Sequence, residues 1–223
     1  KSKEQLAIRS SLSKEKIAYI HIPRTVSNDR EGMKKYAKAL YTEIAKYSNK
    51  NISAFILDFR NNSGGQLWPM LAGLSALIDS DNAGIGVFAD GPRWNWWARG
   101  GKAGTSGKNF KNVNHSINGA SFVDFDDDLP IAVLISGTTG SSGEASVMSF
   151  IGSDKSCLIG QRSRAQATIN QPFELDETTK IFIARGYFGN RDGGIYPTGI
   201  SPNIKVDDSK GENSIEIARD WIT

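Results

Sequence analysis

Apolar residues are distributed along the chain in blocks that predict strands followed by helices. Residues 52–59 (ISAFILDF) and 130–136 (PIAVLIS) are almost continuously apolar, which is typical of strands buried on both faces of a sheet. Residues 30–49 and 66–78 instead repeat apolar positions at helical spacing, and Pro69 lies where the first turn of a helix tolerates it. This alternation predicts an α/β fold with a mainly parallel, wound sheet.

The shorter elements follow the same alternation. They comprise strands at 16–22, 84–90 and 156–160, helices at 144–152 and 213–222, and a hairpin at 172–188 that turns at 176–178. The chain contains no internal repeat. We therefore expect one domain that spans residues 1–223.

Residues 90–121 do not fit this alternation. They are rich in glycine and polar residues but contain Trp94, Trp96 and Trp97. A loop of this length in a compact domain is usually functional or mobile, so we expect a flexible insertion that acts as a lid or as an aromatic, substrate-binding groove. A flap whose tryptophans fold onto the core explains the same composition.

Composition narrows the function classes. Hydrophobic residues make up 39% of the 223 positions and charged residues 23%, as in soluble globular proteins. The net charge is +3 without a basic stripe, so nucleic-acid binding is not expected. Cys157 is the single cysteine, which excludes a disulfide within the chain and predicts a buried, inert thiol. We expect no metal and no cofactor, and we find no apolar run of 18 residues and no signal peptide.

Two adjacent serines are the first candidates for chemistry. Residues 137–145 (GTTGSSGEA) join an apolar strand to a predicted helix, so Ser141 and Ser142 lie at the helix start. A serine nucleophile needs a base within reach and donors for the oxyanion, and free N–H groups at a helix start supply such donors. A serine that only caps the helix explains the same pattern.

Two further segments point to the same edge of the sheet. Gly64 and Gly65 follow the buried strand 52–59, where sites gather in wound α/β sheets and where glycine lets backbone N–H groups face a ligand. His21 lies on or just after another strand and is one of only two histidines. A histidine that is satisfied within the core is the alternative interpretation of His21.

Taken together and in this order, these segments resemble the carboxy-terminal processing (tail-specific) serine peptidases. The likeness covers about residues 15–206, from AYIHIP through FILDFRNNSGG, the serine segment and CLIGQRSRAQATIN to GGIYPTGISPNIKV. Ser63 and Asn203 stand where the family has proline and aspartate. The resemblance implies a crotonase/Clp-protease-like spiral of αβ units, polypeptide substrates and an exported or cell-envelope location. The peptide-binding domain of the PDZ type that many members carry is not seen here.

The resemblance also assigns roles. The family nucleophile lies three positions before a glutamate, which is Glu144 here, so the nucleophile is Ser141. The Ser142 N–H and an N–H from Gly64 or Gly65 then form the oxyanion hole.

The base is where this chain departs from the best-known members, which have a lysine where Gln166 stands. The resemblance to a second branch, the tricorn core and the nisin-resistance proteases, implies His21 as base. The third catalytic member is unassigned, and Glu144 and Asp58 are the candidates for orienting the histidine.

These inferences predict a serine endopeptidase that cleaves extended polypeptides, including cleavage near a C-terminus, with a Ser141–His21 dyad. A non-catalytic peptide- or ligand-binding module on the same fold is the alternative. An esterase is the weaker third interpretation, because the glycines of TGSSG do not flank one serine at the G-x-S-x-G spacing.

Overall fold

The computed structural model describes residues 7–27, 29–91, 93–121 and 123–223, so Lys1 and Pro92 lie outside the described residues. The strands are β1 (Arg9–Leu12), β2 (Ile17–His21), β3 (Ala54–Asp58), β4 (Ser80–Phe88), β5 (Arg93–Arg99), β6 (Lys102–Gly107), β7 (Phe110–Ser116), β8 (Ile131–Ile135), β9 (Ser156–Gly160), β10 (Thr168–Glu174), β11 (Lys180–Gly189) and β12 (Ile204–Lys205). The helices are α1 (Arg30–Ala45), α2 (Leu67–Ile78), α3 (Ser142–Met148) and α4 (Ser214–Ile222), with a short 3₁₀ turn at Asp208–Lys210.

The first sheet, sheet A, has the strand order β1-β2-β3-β8-β9-β12. Strands β2, β3, β8, β9 and β12 are parallel, and only the edge strand β1 is antiparallel. The central strands β3 and β8 are buried along their whole length, as their continuous apolar runs predict. Their carboxyl ends meet at one edge of the sheet, where the three sequence motifs converge.

The second sheet, sheet B, has the order β10-β11-β4-β5-β6-β7 and is antiparallel throughout. The α/β class is therefore confirmed, but the prediction of one mainly parallel sheet is wrong for this half. The crotonase/Clp-protease-like spiral stays a prediction.

The prediction of a long loop at 90–121 is also wrong, because residues 93–116 form three strands of sheet B. Glycines of the neighbouring strand β4 make room for the tryptophans of β5. Gly84 pairs with Trp96 and Gly86 with Trp94 across β4 and β5, and a Cβ at Gly84 would overlap the Trp96 ring. Glycine thus leaves room for a large aromatic ring to lie on the neighbouring strand.

Helices α2 and α3 pack between the two sheets. All of α2 except Trp68 is buried, because an apolar helix with neighbours on every side has no polar face. Its cluster joins Phe55 and Leu57 of sheet A with Trp96 and Phe188 of sheet B. None of the described helices is long and apolar enough to cross a membrane.

Helix α4 covers the opposite face of sheet A. The smaller cluster on this side includes Ile17, Ile56, Leu134 and Cys157. Burial raises the pKa of the Cys157 thiol, which fits the inert thiol that the sequence predicts.

Candidate active site

Ser141 lies at the turn between β8 and α3 in a strained backbone conformation. Its φ is +53° and its ψ is −124°, a region that non-glycine residues occupy only where the surroundings impose it. It forms a capping box with Glu144, and the Ser141 N–H donates to Glu144 Oε2 at 2.9 Å. The half-buried Ser141 hydroxyl donates no hydrogen bond to a described residue. Ser141 is thus both the helix cap and a serine whose proton is free for chemistry.

Ser142 is arranged differently. Its side chain is buried, and its hydroxyl donates to the Gly65 carbonyl oxygen at 2.8 Å. This bond joins the serine turn to the glycine turn that follows β3. The Ser142 hydroxyl is therefore engaged in structure, whereas its N–H donates to no acceptor within the described ranges.

The glycine pair packs directly against the serines. Gly64 and Gly65 have φ values of +103° and +113°. A Cβ at Gly64 would lie 2.8 Å from Ser141 Cβ and 3.2 Å from Ser142 N. The Gly64 N–H already donates to Asn62 Oδ1 at 2.9 Å, but the Gly65 N–H has no acceptor in the part of the chain that the structure describes. Of the two glycines, Gly65 is the one with an available donor.

Glu144 is a fully buried anchor for the loop after β9. Its carboxylate accepts hydrogen bonds from Ser141 N (2.9 Å), Ser163 Oγ (2.5 Å), Ala165 N (3.0 Å) and Gln166 N (2.8 Å). Four donors satisfy the buried charge. Glu144 therefore holds two loops together, and its recorded bonds do not include a histidine.

Gln166 lies beside Gly140, the residue that precedes Ser141. Its Oε1 is 3.6 Å from where a Cβ of Gly140 would stand, and Arg164 Cδ is 3.3 Å from the same point. A neutral amide, which is not a proton acceptor, therefore lies next to the residue that precedes Ser141.

Among the described residues, no hydrogen bond joins His21 to Ser141. It is buried, and its Nδ1 lies 2.9 Å from the Ala7 carbonyl oxygen. Ile20 and Ile22 pack in the cluster on the α3 side of sheet A, so strand alternation directs His21 to the α4 side. The contacts of His21 are those of a histidine satisfied within the core.

Asp58 pairs in register with His21, but its carboxylate is bound elsewhere. It accepts from Tyr19 Oη at 2.6 Å and from Arg60 Nη2 at 2.7 Å and Nε at 3.0 Å. Burial opposes the charge of Asp58, but the hydrogen bonds and charge of Arg60 outweigh it and hold the Asp58 pKa below its usual value. Arg60 also reaches Asp208 at 3.1 Å. Asp58 thus supports the sheet edge, and the hydrogen bonds of its carboxylate do not include His21.

Two further ionisable side chains, Lys155 and His115, lie on other parts of the two sheets. Lys155 immediately precedes β9 and so lies at the amino ends of the parallel strands, opposite Ser141. His115 is on β7 of sheet B, where burial and then the charge of Lys34 lower its pKa. No group of three or more metal-ligating side chains occurs among the described residues.

The three tryptophans of the predicted insertion have separate roles. Trp96 and Trp97 are buried, and Trp96 Nε1 donates to Ser149 Oγ at 3.1 Å, so both belong to the core. Trp94 is half-buried and lies 6.1 Å, between ring centroids, from Trp68. Because Trp68 is three positions after Gly65, only Trp94 of the three tryptophans is part of an aromatic surface near the glycine turn.

Asn62 is the functional candidate that the motif search missed. Its buried side-chain amide bonds to the loops after β2 and β3. Its backbone carbonyl oxygen accepts from Gly140 N in the loop after β8. The signal was present in FRNNSGG, where polar residues follow directly on a buried strand and must satisfy the backbone groups of the turn.

Comparison with known proteins identifies the family to which this chain belongs. The profile of peptidase family S41 matches residues 16–206. The chain belongs to this serine peptidase family. The nisin-resistance protein of Lactococcus lactis subsp. lactis is 30% identical over 203 residues, which cover 90% of this chain and 58% of that protein. The chain thus spans little more than half the length of this curated relative.

Solved structures show the same fold. A lipoprotein from Streptococcus agalactiae superposes with a TM-score of 0.76 at 23% identity, over 98% of this chain and 70% of that one. The photosystem II D1 C-terminal processing protease superposes with a TM-score of 0.60 at 18% identity, over 94% of this chain and 48% of that one.

Proposed function

We propose that the chain is the catalytic part of a serine endopeptidase in which Ser141 attacks the scissile carbonyl. The Ser141 Oγ bonds to the carbonyl carbon, and the resulting oxyanion accepts from the N–H groups of Ser142 and Gly65. The Oγ proton passes to a general base, and collapse of this intermediate breaks the C–N bond as that proton moves to the leaving amine. Water then hydrolyses the ester left on Ser141, which restores the hydroxyl and releases the new carboxyl end. The observation that carries the proposal is a strained serine at a helix start, packed on a glycine turn, beside the N–H groups of Ser142 and Gly65, which no described residue accepts.

The proton acceptor is assigned on sequence alone. The prediction that His21 is the base stays a prediction, and its contact with Ala7 and its direction toward α4 weigh against it. As base, the His21 imidazole would have to leave that contact to accept the Ser141 proton. His21→Gln would then remove the cleavage activity. Unchanged cleavage by His21→Gln moves this role to another group and leaves the Ser141 assignment intact.

Extended polypeptides are the proposed substrates. The half-buried rings of Trp68 and Trp94 lie beside the glycine turn and suit apolar side chains of a bound peptide. The relative's name associates that protein with nisin, so a peptide antibiotic of this type is a suitable first substrate to assay. The lipoprotein and nisin-resistance relatives support a cell-envelope location. Cleavage near a C-terminus belongs to the same proposal.

A matched pair of serine variants tests the proposal. Ser141→Ala should lower peptide cleavage by several orders of magnitude and abolish labelling by a serine-reactive phosphonate, with an unchanged melting temperature. Ser142→Ala should retain labelling because its backbone N–H remains. Labelling that survives Ser141→Ala and disappears in Ser142→Ala would show that Ser142, and not Ser141, is the nucleophile. A chain that binds peptides but never labels would be the non-catalytic module.

A further inference from the structure

We propose that Asn62 is a positioning residue that selects the Gly65 N–H, rather than the Gly64 N–H, as the second oxyanion donor. This inference rests on the proposed function, because it specifies how the oxyanion hole of Ser141 is built. The Asn62 amide bonds to backbone groups of Ile22, Pro23 and Gly64, so it acts through the backbone of the glycine turn.

The Asn62 side chain joins two loops. Its Nδ2 donates to the carbonyl oxygens of Ile22 and Pro23, each at 3.2 Å, and its Oδ1 accepts from Gly64 N at 2.9 Å. The donors and the acceptor of one amide group therefore fix the loop after β2 to the glycine turn. The side chain is fully buried, so water does not compete with these bonds.

The Asn62 backbone reaches the third loop. Its carbonyl oxygen accepts from Gly140 N at 3.0 Å, one residue before Ser141. A Cβ at Gly143 would lie 2.7 Å from the same carbonyl oxygen and 2.8 Å from Oδ1, so the start of α3 packs directly on Asn62. One residue thus sets the relative position of the two turns that supply the oxyanion donors.

The glycine turn is fixed on its other side by Thr25. Gly64 accepts through its carbonyl oxygen from Thr25 N at 3.1 Å, and the Thr25 hydroxyl accepts from Gln66 N. Both backbone groups of Gly64 are therefore used, and the N–H of Gln66 is used as well. Gly65 is left between them as the position with a donor that no described residue accepts.

An amide is required at position 62. The site offers two carbonyl acceptors on one side and an N–H donor on the other, which match an NH₂ group and an oxygen. A shorter side chain would leave the Gly64 N–H and the two carbonyl oxygens without these partners, and the turn could then rotate to present Gly64. Substitution should therefore act on the stabilisation of the oxyanion and leave peptide binding largely unchanged.

The test compares Asn62→Ala with Asn61→Ala, since Asn61 is the exposed neighbour in the same turn. Asn62→Ala should lower kcat for peptide cleavage by roughly 100-fold, the usual effect of one lost oxyanion donor, with KM within about threefold of wild type. Asn61→Ala should match wild type in both constants. A wild-type kcat in folded Asn62→Ala, or a loss that appears only in KM, would overturn the inference.

A second measurement on the wild-type chain does not depend on the variant folding. In amide NMR spectra, the Gly64 N–H should exchange slowly with solvent because Asn62 accepts from it, and the Gly65 N–H should exchange fast. A phosphonate bound to Ser141 should shift the amide resonances of Gly65 and Ser142 and leave Gly64 in place. A shift at Gly64 instead of Gly65 would overturn the selection by Asn62, whereas failure of the phosphonate to react at Ser141 would reject the proposed function itself.

Discussion

The carboxyl edge of sheet A and the hairpin β10–β11 organise their polar and apolar groups in opposite ways. At the edge, Asn62, Thr139 and Glu144 are fully buried polar residues, and each bonds across loops. On the hairpin, Leu175 and Phe182 are 62% and 68% exposed. Apolar packing is non-directional, whereas hydrogen bonds fix backbone groups in place. The difference teaches that this chain uses its costly buried polar groups where the position of a backbone N–H matters.

The largest effect is expected from substitutions in the glycine turn. Gly65→Val should lower cleavage by at least about 100-fold, because a Cβ there would overlap the Thr25 hydroxyl and carbonyl oxygens and displace an oxyanion donor. Gly64→Val should behave similarly through its contact with Ser141. Gly91→Val is the control, since Gly91 has a φ of +109° but nothing within 4 Å of its Cβ position. Equal activities of the three variants would show that backbone strain alone, and not the position of the oxyanion donor, determines the rate of cleavage.

The next effect concerns the buried carboxylate. Glu144→Gln should lower the free energy of unfolding by about 2–3 kcal/mol, since an NH₂ group would face N–H and O–H donors. Cleavage should fall too, because the loop carrying Gln166 would lose its tie to Ser141. Chemical denaturation and peptide assays measure both quantities. Glu177→Gln, at the exposed hairpin turn, should change neither the free energy of unfolding nor the cleavage rate. Equal losses in Glu177→Gln and Glu144→Gln would contradict the prediction that the buried carboxylate matters more than an exposed one.

Acid should weaken the same edge through Asp58. Because its pKa is lowered in the folded state, Asp58 contributes stability above the ordinary carboxyl pKa of about 3.9, and this is lost as the pH falls through the lower folded pKa. Asp58→Asn should therefore lower the free energy of unfolding by about 1–3 kcal/mol at pH 7. The free energy of unfolding of this variant should also decrease less than that of wild type as the pH is lowered. Denaturant titrations from pH 7 to pH 3 test this, with exposed Asp220→Asn as control. Parallel curves for wild type and Asp58→Asn would contradict it.

The smallest effect is expected on the hairpin. Phe182→Ser should change the free energy of unfolding by less than about 0.5 kcal/mol and leave kcat unchanged, because its ring is mostly in solvent. Phe188→Ser, at a buried position of the same strand, should cost about 3 kcal/mol or more. A strongly destabilised Phe182→Ser would mean that the exposed ring contributes to the folded chain after all.

The sequence predicts the edge better than it predicts sheet B. Continuous apolar runs identify β3 and β8 because both faces are buried. Strand β7 could not be predicted in this way because five of its seven residues are exposed. Its sequence therefore has no alternation of apolar and polar residues.

The side-chain roles were harder to predict than the elements. The motif around Ser141 located the serine turn, but the direction of His21 depends on which face of sheet A the helix α3 covers. The bonds of Glu144 and Asp58 depend on loops that are distant in sequence, and no local pattern specifies such partners.

The burial of α2 between the two sheets has a consequence for folding. Sheet B assembles from residues 80–116 and 168–189, which are separated in the chain by β8, α3 and β9. Without α2, the inner faces of both sheets would be exposed to solvent. The two sheets should therefore form and melt in a single cooperative transition. Because these contacts join distant parts of the chain, folding should be slow compared with that of a helical bundle of similar size.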